Sequence, residues 1–286
     1  MRSNSRPAWP ARLQNPGGQR ITPLEPENKH DADRTVGRGQ TMVIDKGLGQ
    51  NGFSDLLETA GAYITCVKIG FGTAPLYPTE LLLGKIELAK RHGILIMPGG
   101  TLLEAAVSQE LVPAFFETIC RLGFNGVEVS DGTIELSRSR RSELIREGLN
   151  HGLQVVTEYG KKLNGSTVDI AELQATADAD WYAGAELITI EARESGVGVG
   201  LFDENGDCKE EVLLAVERSF GGISRIMWET PLKQQQALLL RTFGPEAHLG
   251  NIPPQDALSL ETMRRGLRSD TFSFGLKNEL PIHYMI

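Results

Sequence analysis

The sequence predicts an α/β fold, and within that class a closed (β/α)8 barrel of the TIM type. Three observations lead there. A short apolar run, a polar or glycine-rich turn and a longer helical pattern recur as one unit from residue 41 onward. The unit recurs through eight apolar runs, and several of these are continuous rather than alternating, as parallel strands buried on both faces require. The helical patterns stop at glycines that suit a left-handed cap, and the next run starts within a few residues. An open doubly wound sheet would usually have fewer strands and an early nucleotide fingerprint, which is missing.

The runs are Met42–Ile44, Val67–Ile69, Ile94–Met97, Val127–Val129, Leu153–Val156, Leu187–Ile190, Ile223–Trp228 and Ala247–Leu249. Between them, Thr79 precedes a helical pattern over Glu80–Arg91, with Gly93 beyond it. Val112–Leu122 is followed by Gly123, and Ser142–Asn150 by Gly152. Asp169 opens a helix that ends near Gly184. Residues 39–275 are therefore read as the barrel.

The flanks differ. Residues 1–38 are rich in Pro, Arg, Asn and Gln and have little apolar periodicity, so a flexible N-terminal arm is expected. Arg2, Arg6, Arg12 and Arg20 resemble a transit peptide faintly, but the prolines at 7, 10 and 16 spoil an amphipathic helix. Residues 276–286 are read as a C-terminal tail.

A length of 286 residues fits one large barrel or two small domains, and 40% apolar content supplies a substantial core. No stretch approaches the roughly 18–20 apolar residues that span a bilayer. A net charge of −8 argues against a protein that coats nucleic acid or an anionic membrane. Cys66, Cys120 and Cys208 are few and scattered, so neither a disulfide framework nor a zinc site is expected, and a reducing, cytoplasmic location is the default. The histidines form no ligand pattern, so any metal would be a hard ion held by carboxylates.

In such a barrel, chemistry sits at the C-terminal ends of the strands. The residues there are unusually polar: Asp45 and Lys46; Lys68, Gly70, Gly72 and Thr73; Pro98 to Thr101; Glu128, Ser130 and Asp131. The later turns add Glu158, Lys161 and Lys162; Glu191, Arg193 and Glu194; Glu229 and Lys233; and Asn251. Gly99, Gly100 and Thr101 suit an anion held on the free N–H groups of a helix start. Thr101 with Glu104 also matches a T-x-x-E capping box, and the two readings are compatible. Gly196, Gly198 and Gly200 lack the spacing of a dinucleotide loop. Asp203, Asn205 and Asp207 lack the glycine and closing Glu of a calcium loop, so a turn is expected there. Arg264 and Arg265 fall in the last βα unit, a common phosphate site in barrels.

A family resemblance runs through ordered motifs. They are Thr-Met-Val-Ile-Asp-Lys-Gly-Leu at 41–48, Val-Lys-Ile-Gly-Phe-Gly-Thr at 67–73 and Pro-Gly-Gly-Thr-Leu at 98–102. Leu-Gly-Phe-Asn-Gly-Val-Glu-Val-Ser-Asp-Gly follows at 122–132, Glu-Tyr-Gly-Lys-Lys at 158–162 and Glu-Ala-Arg-Glu-Ser-Gly at 191–196. Leu-Phe-Asp at 201–203 and Ser-Leu-Glu-Thr-Met-Arg-Arg-Gly-Leu-Arg at 259–268 complete the set. Over residues 40–272 the chain resembles the phosphosulfolactate synthase family, which includes plant heat-stress-associated proteins. It departs from that pattern at Val197, where archaeal members carry Lys, and at Thr230, where they carry Ala.

The resemblance implies a Mg2+-dependent carbon–sulfur lyase that adds sulfite to phosphoenolpyruvate. Sulfite attacks the methylene carbon, charge develops on the carboxylate as an enediolate, and a proton reaches C2. That chemistry needs cations to gather two anions, a hard divalent ion to take developing charge, and a general acid. Glu158, Glu191 and Asp131 are the expected Mg2+ ligands, and Lys162 the expected acid, with Lys161 its rival. Lys46, Lys68, Lys161, Arg193 and Arg265, with Gly99, Gly100 and Thr101, are expected to bind sulfite, phosphate and carboxylate oxygens. Lys68 stands out because it lies inside an apolar run and would point into the barrel. The resemblance also implies a homo-oligomer. The alternative is a barrel without sulfite addition, or with another specificity, like the plant relatives.

Overall fold

We describe the protein from a computed structural model of the whole chain, over residues 9–16, 39–161, 168–192, 195–198, 200–208 and 210–275. Most of the expected arm, the whole of 276–286, and both Lys162 and Arg193 lie outside the described residues.

A one-turn helix, α1 (Ala11–Gln14), precedes the repeating units. The eight strands are β1 (Thr41–Asp45), β2 (Cys66–Ile69), β3 (Leu95–Pro98), β4 (Gly126–Val129), β5 (Gln154–Tyr159), β6 (Ile188–Ile190), β7 (Ile226–Glu229) and β8 (His248–Ile252). The helices that follow them are α2 (Gln50–Ala60), α3 (Thr79–Arg91), the pair α4 (Gly100–Ser108) and α5 (Val112–Leu122), α6 (Arg138–Asn150), α7 (Ile170–Ala183), α8 (Glu210–Phe220), α9 (Lys233–Phe243) and α10 (Ala257–Arg264). The strands are parallel and run β3-β2-β1-β8-β7-β6-β5-β4 around the ring, so the chain forms the expected (β/α)8 barrel. No helix among the described residues is long and apolar enough to cross a membrane.

Local chemistry sets the boundaries. Asp169 caps α7 by accepting from Glu172 N–H, and Gly184 ends that helix in the left-handed conformation. Gly93, Gly123 and Gly152 also have positive φ where their helices stop. Helix α6 begins four residues before the expected Ser142, because Ser137 caps Arg140 N–H and the charged first turn hides the apolar period.

Two apolar layers support the strands. The outer core packs outward-facing residues such as Val43, Val67, Val127 and Leu249 against the helices. Inside the ring, Met42, Cys66, Met97, Val156, Leu187 and Met227 form a separate floor. A methyl at Gly250 would meet Met42 Cε at 2.7 Å and Met227 Sδ at 3.1 Å, so glycine lets that floor close.

One joint of the ring differs. No strand ladder joins β3 to β4. Asn125, just before β4, spans the gap: its Oδ1 accepts from Ile96 N–H (2.7 Å) and its own N–H donates to Ile96 O (3.3 Å).

Candidate active site

The strand ends of β4 to β7 each carry an inward glutamate. Glu128 lies inside β4, Glu158 inside β5, Glu229 ends β7, and Glu191 follows β6 directly. All four are buried and line one cavity at the C-terminal mouth, together with Lys68 of β2. This cavity holds about 220 Å³ and is also lined by Gly70, Phe71, Gly99, Gly100, Thr101 and Asn251.

Lys68 is the hub. Its Nζ lies 3.0 Å from Glu128 Oε1, 3.3 Å from Glu158 Oε2 and 3.0 Å from Glu229 Oε1. Burial alone would release its proton, but the pull of Glu128, Glu229, Glu158 and Glu191 wins and holds the ammonium well above the usual lysine range. Burial pushes the Glu128 carboxyl up, and Lys68 opposes that shift. Glu128 Oε2 also accepts from Gly100 N–H at 2.7 Å, so the start of α4 already contacts an anion of the protein itself.

Among the described residues, four buried carboxylates gather around one ammonium over an apolar floor, in a low-dielectric site. Ligand oxygens of Glu158, Glu191 and Glu229 all lie within 4.8 Å of one another. Three hard oxygen donors converging in a buried site fit a divalent cation of the Mg2+ type.

The residues singled out from the sequence fall into two sets. Lys68, Gly99, Gly100, Thr101, Glu158 and Glu191 share the cavity. Lys46 is exposed at the rim, its Nζ 5.8 Å from the Phe71 ring centroid. Asp131 does not join the glutamates. It turns to Arg141 Nη1 (3.1 Å) and Lys161 Nζ (3.7 Å), and Glu229 stands with Glu158 and Glu191 instead. Lys161 donates to the carbonyls of Asp131 (2.7 Å) and Ile134 (3.1 Å), which tethers the turn after β4.

Arg265 is not at the mouth either. It caps the far end of α10, pairs with Glu261 (2.8 Å), lies over the Tyr63 ring and donates to Gln14 O of α1. Tyr63 lies just before β2, at the opposite rim of the barrel. Arg264 is likewise buried there and donates to the carbonyls of Pro245, Ala247 and Gln40. The T-x-x-E pattern at Thr101 makes no capping box: Gly99 is the N-cap, and no side chain caps the helix. Glu104 instead accepts from Ser130 Oγ and from the N–H groups of Thr133 and Ile134, which fixes the turn after β4.

Buried charge pairs support this mouth from behind. Arg141 of α6 pairs with Asp180 of α7 at 2.8 Å and donates to Glu158 O at 3.0 Å, fixing the end of β5 from behind. The residues not singled out as ligands were Glu128, Glu229 and Asn251. For the two glutamates the signal was present: each is a charge embedded in or ending an apolar strand, as Lys68 is.

Comparison with known proteins supplies the chemistry to set beside this geometry. Residues 29–270 match the family model described as (2R)-phospho-3-sulfolactate synthase (ComA). The chain is 39% identical over 237 residues to phosphosulfolactate synthase of Methanocaldococcus jannaschii, covering 82% of this chain and 94% of that protein. It is 36% identical over 240 residues to the Bacillus subtilis phosphosulfolactate synthase, covering 82% and 92%. Protein HEAT-STRESS-ASSOCIATED 32 of Arabidopsis thaliana is 21% identical over 76% of this chain and 81% of its own length. Among solved structures, 3-hexulose-6-phosphate synthase from Salmonella typhimurium has a TM-score of 0.52 at 12% identity, over 80% of this chain and all of that one. At that identity the likeness is one of fold.

Proposed function

The chain belongs to the phosphosulfolactate synthase family, and from that premise we propose that it adds sulfite to phosphoenolpyruvate to give 2-phospho-3-sulfolactate. The observation that carries the reading is the buried cluster of Glu158, Glu191 and Glu229 beside Lys68, at the mouth of a barrel of this family.

In the proposed reaction the sulfur lone pair forms a bond to the methylene carbon, and the carbon–carbon π pair moves toward the carboxylate. A proton then adds at C2, and the phosphate stays in place. Glu158, Glu191 and Glu229 would hold the cation, in place of the set with Asp131. Mg2+ there would neutralise charge arriving on the substrate carboxylate. Lys68 keeps its proton and holds the glutamates in register, so it serves as a fixed positive charge. Lys162 is the proposed proton donor. Its neighbour Lys161 is engaged with the turn at 131–134, which leaves Lys162 the better candidate of the two. Lys46 at the rim is a candidate for meeting the anions, and Arg193 is a further candidate from its place in the sequence.

The test is direct. Purified protein with sulfite, phosphoenolpyruvate and Mg2+ should consume phosphoenolpyruvate and form a sulfonated product, and a chelator should stop it. No turnover by folded protein with any divalent metal would overturn the reading. The chain would then be a barrel that has left the family's chemistry.

A further inference from the structure

Strand β8 carries an irregularity that the groups described so far do not explain. Its partners on β1 step from Thr41 to Val43 while its own residues step from Leu249 to Ile252, so β8 contains one extra residue. Gly250 faces the interior floor. Strict alternation would turn residue 251 outward. Asn251 lines the mouth cavity instead, and Ile252 returns to the outer core. The bulge therefore puts two consecutive residues on the inside. Its backbone at Asn251 is left-handed, with φ 52°. Non-glycine residues take that conformation at a cost, Asn at less than most. Bulges that re-aim a side chain recur beside active sites.

The group so aimed is poorly served by the protein. Asn251 is 4% exposed, and its Oδ1 accepts no hydrogen bond from the described residues. A buried acceptor without a donor is unfavourable. Left-handed backbone and unsatisfied oxygen thus coincide at one position, and both place a carboxamide in the cavity. Its position in the ring is a boundary. On one side β7 brings Glu229, which is in register with Gly250. On the other side β1 brings the apolar Ile44 to the same cavity.

We infer that Asn251 is a specificity-determining contact that bridges the two things the cavity binds. Nδ2 donates to an anionic oxygen of a phosphorylated three-carbon acid, and Oδ1 accepts from a water that the cation carries. The inference rests on the function proposed above. Phosphoenolpyruvate offers acceptors on its carboxylate and phosphate, so it can satisfy the amide N–H but not the oxygen. A hydrated cation held by the neighbouring glutamates supplies the missing donor. A carboxylate at 251 would lose the N–H and add a further negative charge beside Glu229.

The test compares wild type with Asn251→Gly, Asn251→Ala and Asn251→Asp. Melting without ligands, Mg2+ affinity alone, phosphoenolpyruvate affinity with Mg2+, and kcat and KM with sulfite are measured. Asn251→Gly should melt no lower than wild type, because it removes both the unsatisfied oxygen and the left-handed side chain. Asn251→Ala should raise Kd and KM for phosphoenolpyruvate about 10–100-fold, and weaken Mg2+ by the smaller factor of about 2–10 expected for one lost hydrogen bond to its water. Asn251→Asp should move the two ligands in opposite directions, weakening phosphoenolpyruvate about 100-fold or more and tightening Mg2+. Variants that melt well below wild type yet bind phosphoenolpyruvate normally would make the amide a structural group and overturn the inference. So would Asn251→Ala that loses Mg2+ but not phosphoenolpyruvate. If wild type binds phosphoenolpyruvate without turning it over, the proposed reaction fails while the Asn251 binding comparison still decides. A wild type that binds no phosphoenolpyruvate overturns both.

Discussion

At the end of β1, Asp45 is buried with its carboxylate facing α3; at the ends of β5 to β7, Glu158, Glu191 and Glu229 are as deeply buried but face the cavity. Asp45 meets Lys85 at 2.6 Å and also accepts from Gly47 N–H, Leu48 N–H and the Tyr77 hydroxyl. Lys85 lies over the Tyr77 and Phe53 rings. Burial lowers its proton affinity, with only Asp45 to oppose it. Lys68, in contact with three glutamates, shifts the other way. The outward pair is closed: one charge against one charge, with both carboxylate oxygens engaged. The inward cluster shares one described ammonium among several carboxylates, an arrangement that folding alone does not reward. A single step of strand parity thus separates a carboxylate that holds the fold from one that lines the cavity.

Five substitutions would break or sharpen this contrast. The largest effect is expected at Lys162, the proposed proton donor, which follows β5 in sequence. Lys162→Ala should lower kcat roughly 10²–10⁴-fold with the melting temperature kept, the usual range for a lost general acid. Lys161→Ala should instead loosen the turn at 131–134 and raise KM for one of the anions. Equal, modest KM effects from both would move the acid elsewhere. Glu158→Gln comes next. If Glu158 holds the cation as proposed, loss of its charge should lower kcat/KM about 10³-fold, and Mg2+ titration should show weakened binding with little change in melting.

Asp45→Asn should do the reverse. Breaking a buried pair from one side costs about 3 kcal/mol, so melting should fall by about 6–12 °C with kcat within a few-fold of wild type. A large activity loss without destabilisation would erase the distinction between the two regions. The smallest effect is expected at Asn125→Ala, which strips hydrogen bonds from the β3–β4 joint. About 2 kcal/mol, or 4–8 °C in melting, should be lost, with phosphoenolpyruvate affinity weakened only slightly.

The barrel was legible in the sequence because continuous apolar runs and left-handed glycine stops are local signals, and both survive folding unchanged. The inward placement of Lys68, Glu158 and Glu191 was legible for a related reason: a charge inside or directly after an apolar strand has few places to point. Asp131 was not. It lies beyond the end of β4, where alternation no longer dictates direction, and Arg141 of α6 takes it outward. Arg265 failed on helix direction. Helices return antiparallel to the strands, so the last turn of α10 lies at the rim away from the mouth, while only its first turn is near it. Thr101 and Glu104 matched a local pattern that tertiary contacts overrode, since Ser130, Thr133 and Ile134 give Glu104 better partners. Asn251 depends on a bulge, and a bulge changes the very parity by which inward residues are counted.

The Asn125 joint has a consequence for how the cavity moves. A ring closed by a side chain at one place has an edge there, and edges with few backbone hydrogen bonds open at lower cost than laddered strands. Amide exchange at Ile96 and Asn125 should accordingly outpace that at Val67, whose strand is paired on both sides. The upper end of the same joint is bridged by Glu128, which accepts from Gly100 across the gap and holds Lys68 beyond it. Breathing at this joint would separate the start of α4 from the glutamate wall. The route by which anions enter and the line along which the ring loosens would then be one and the same.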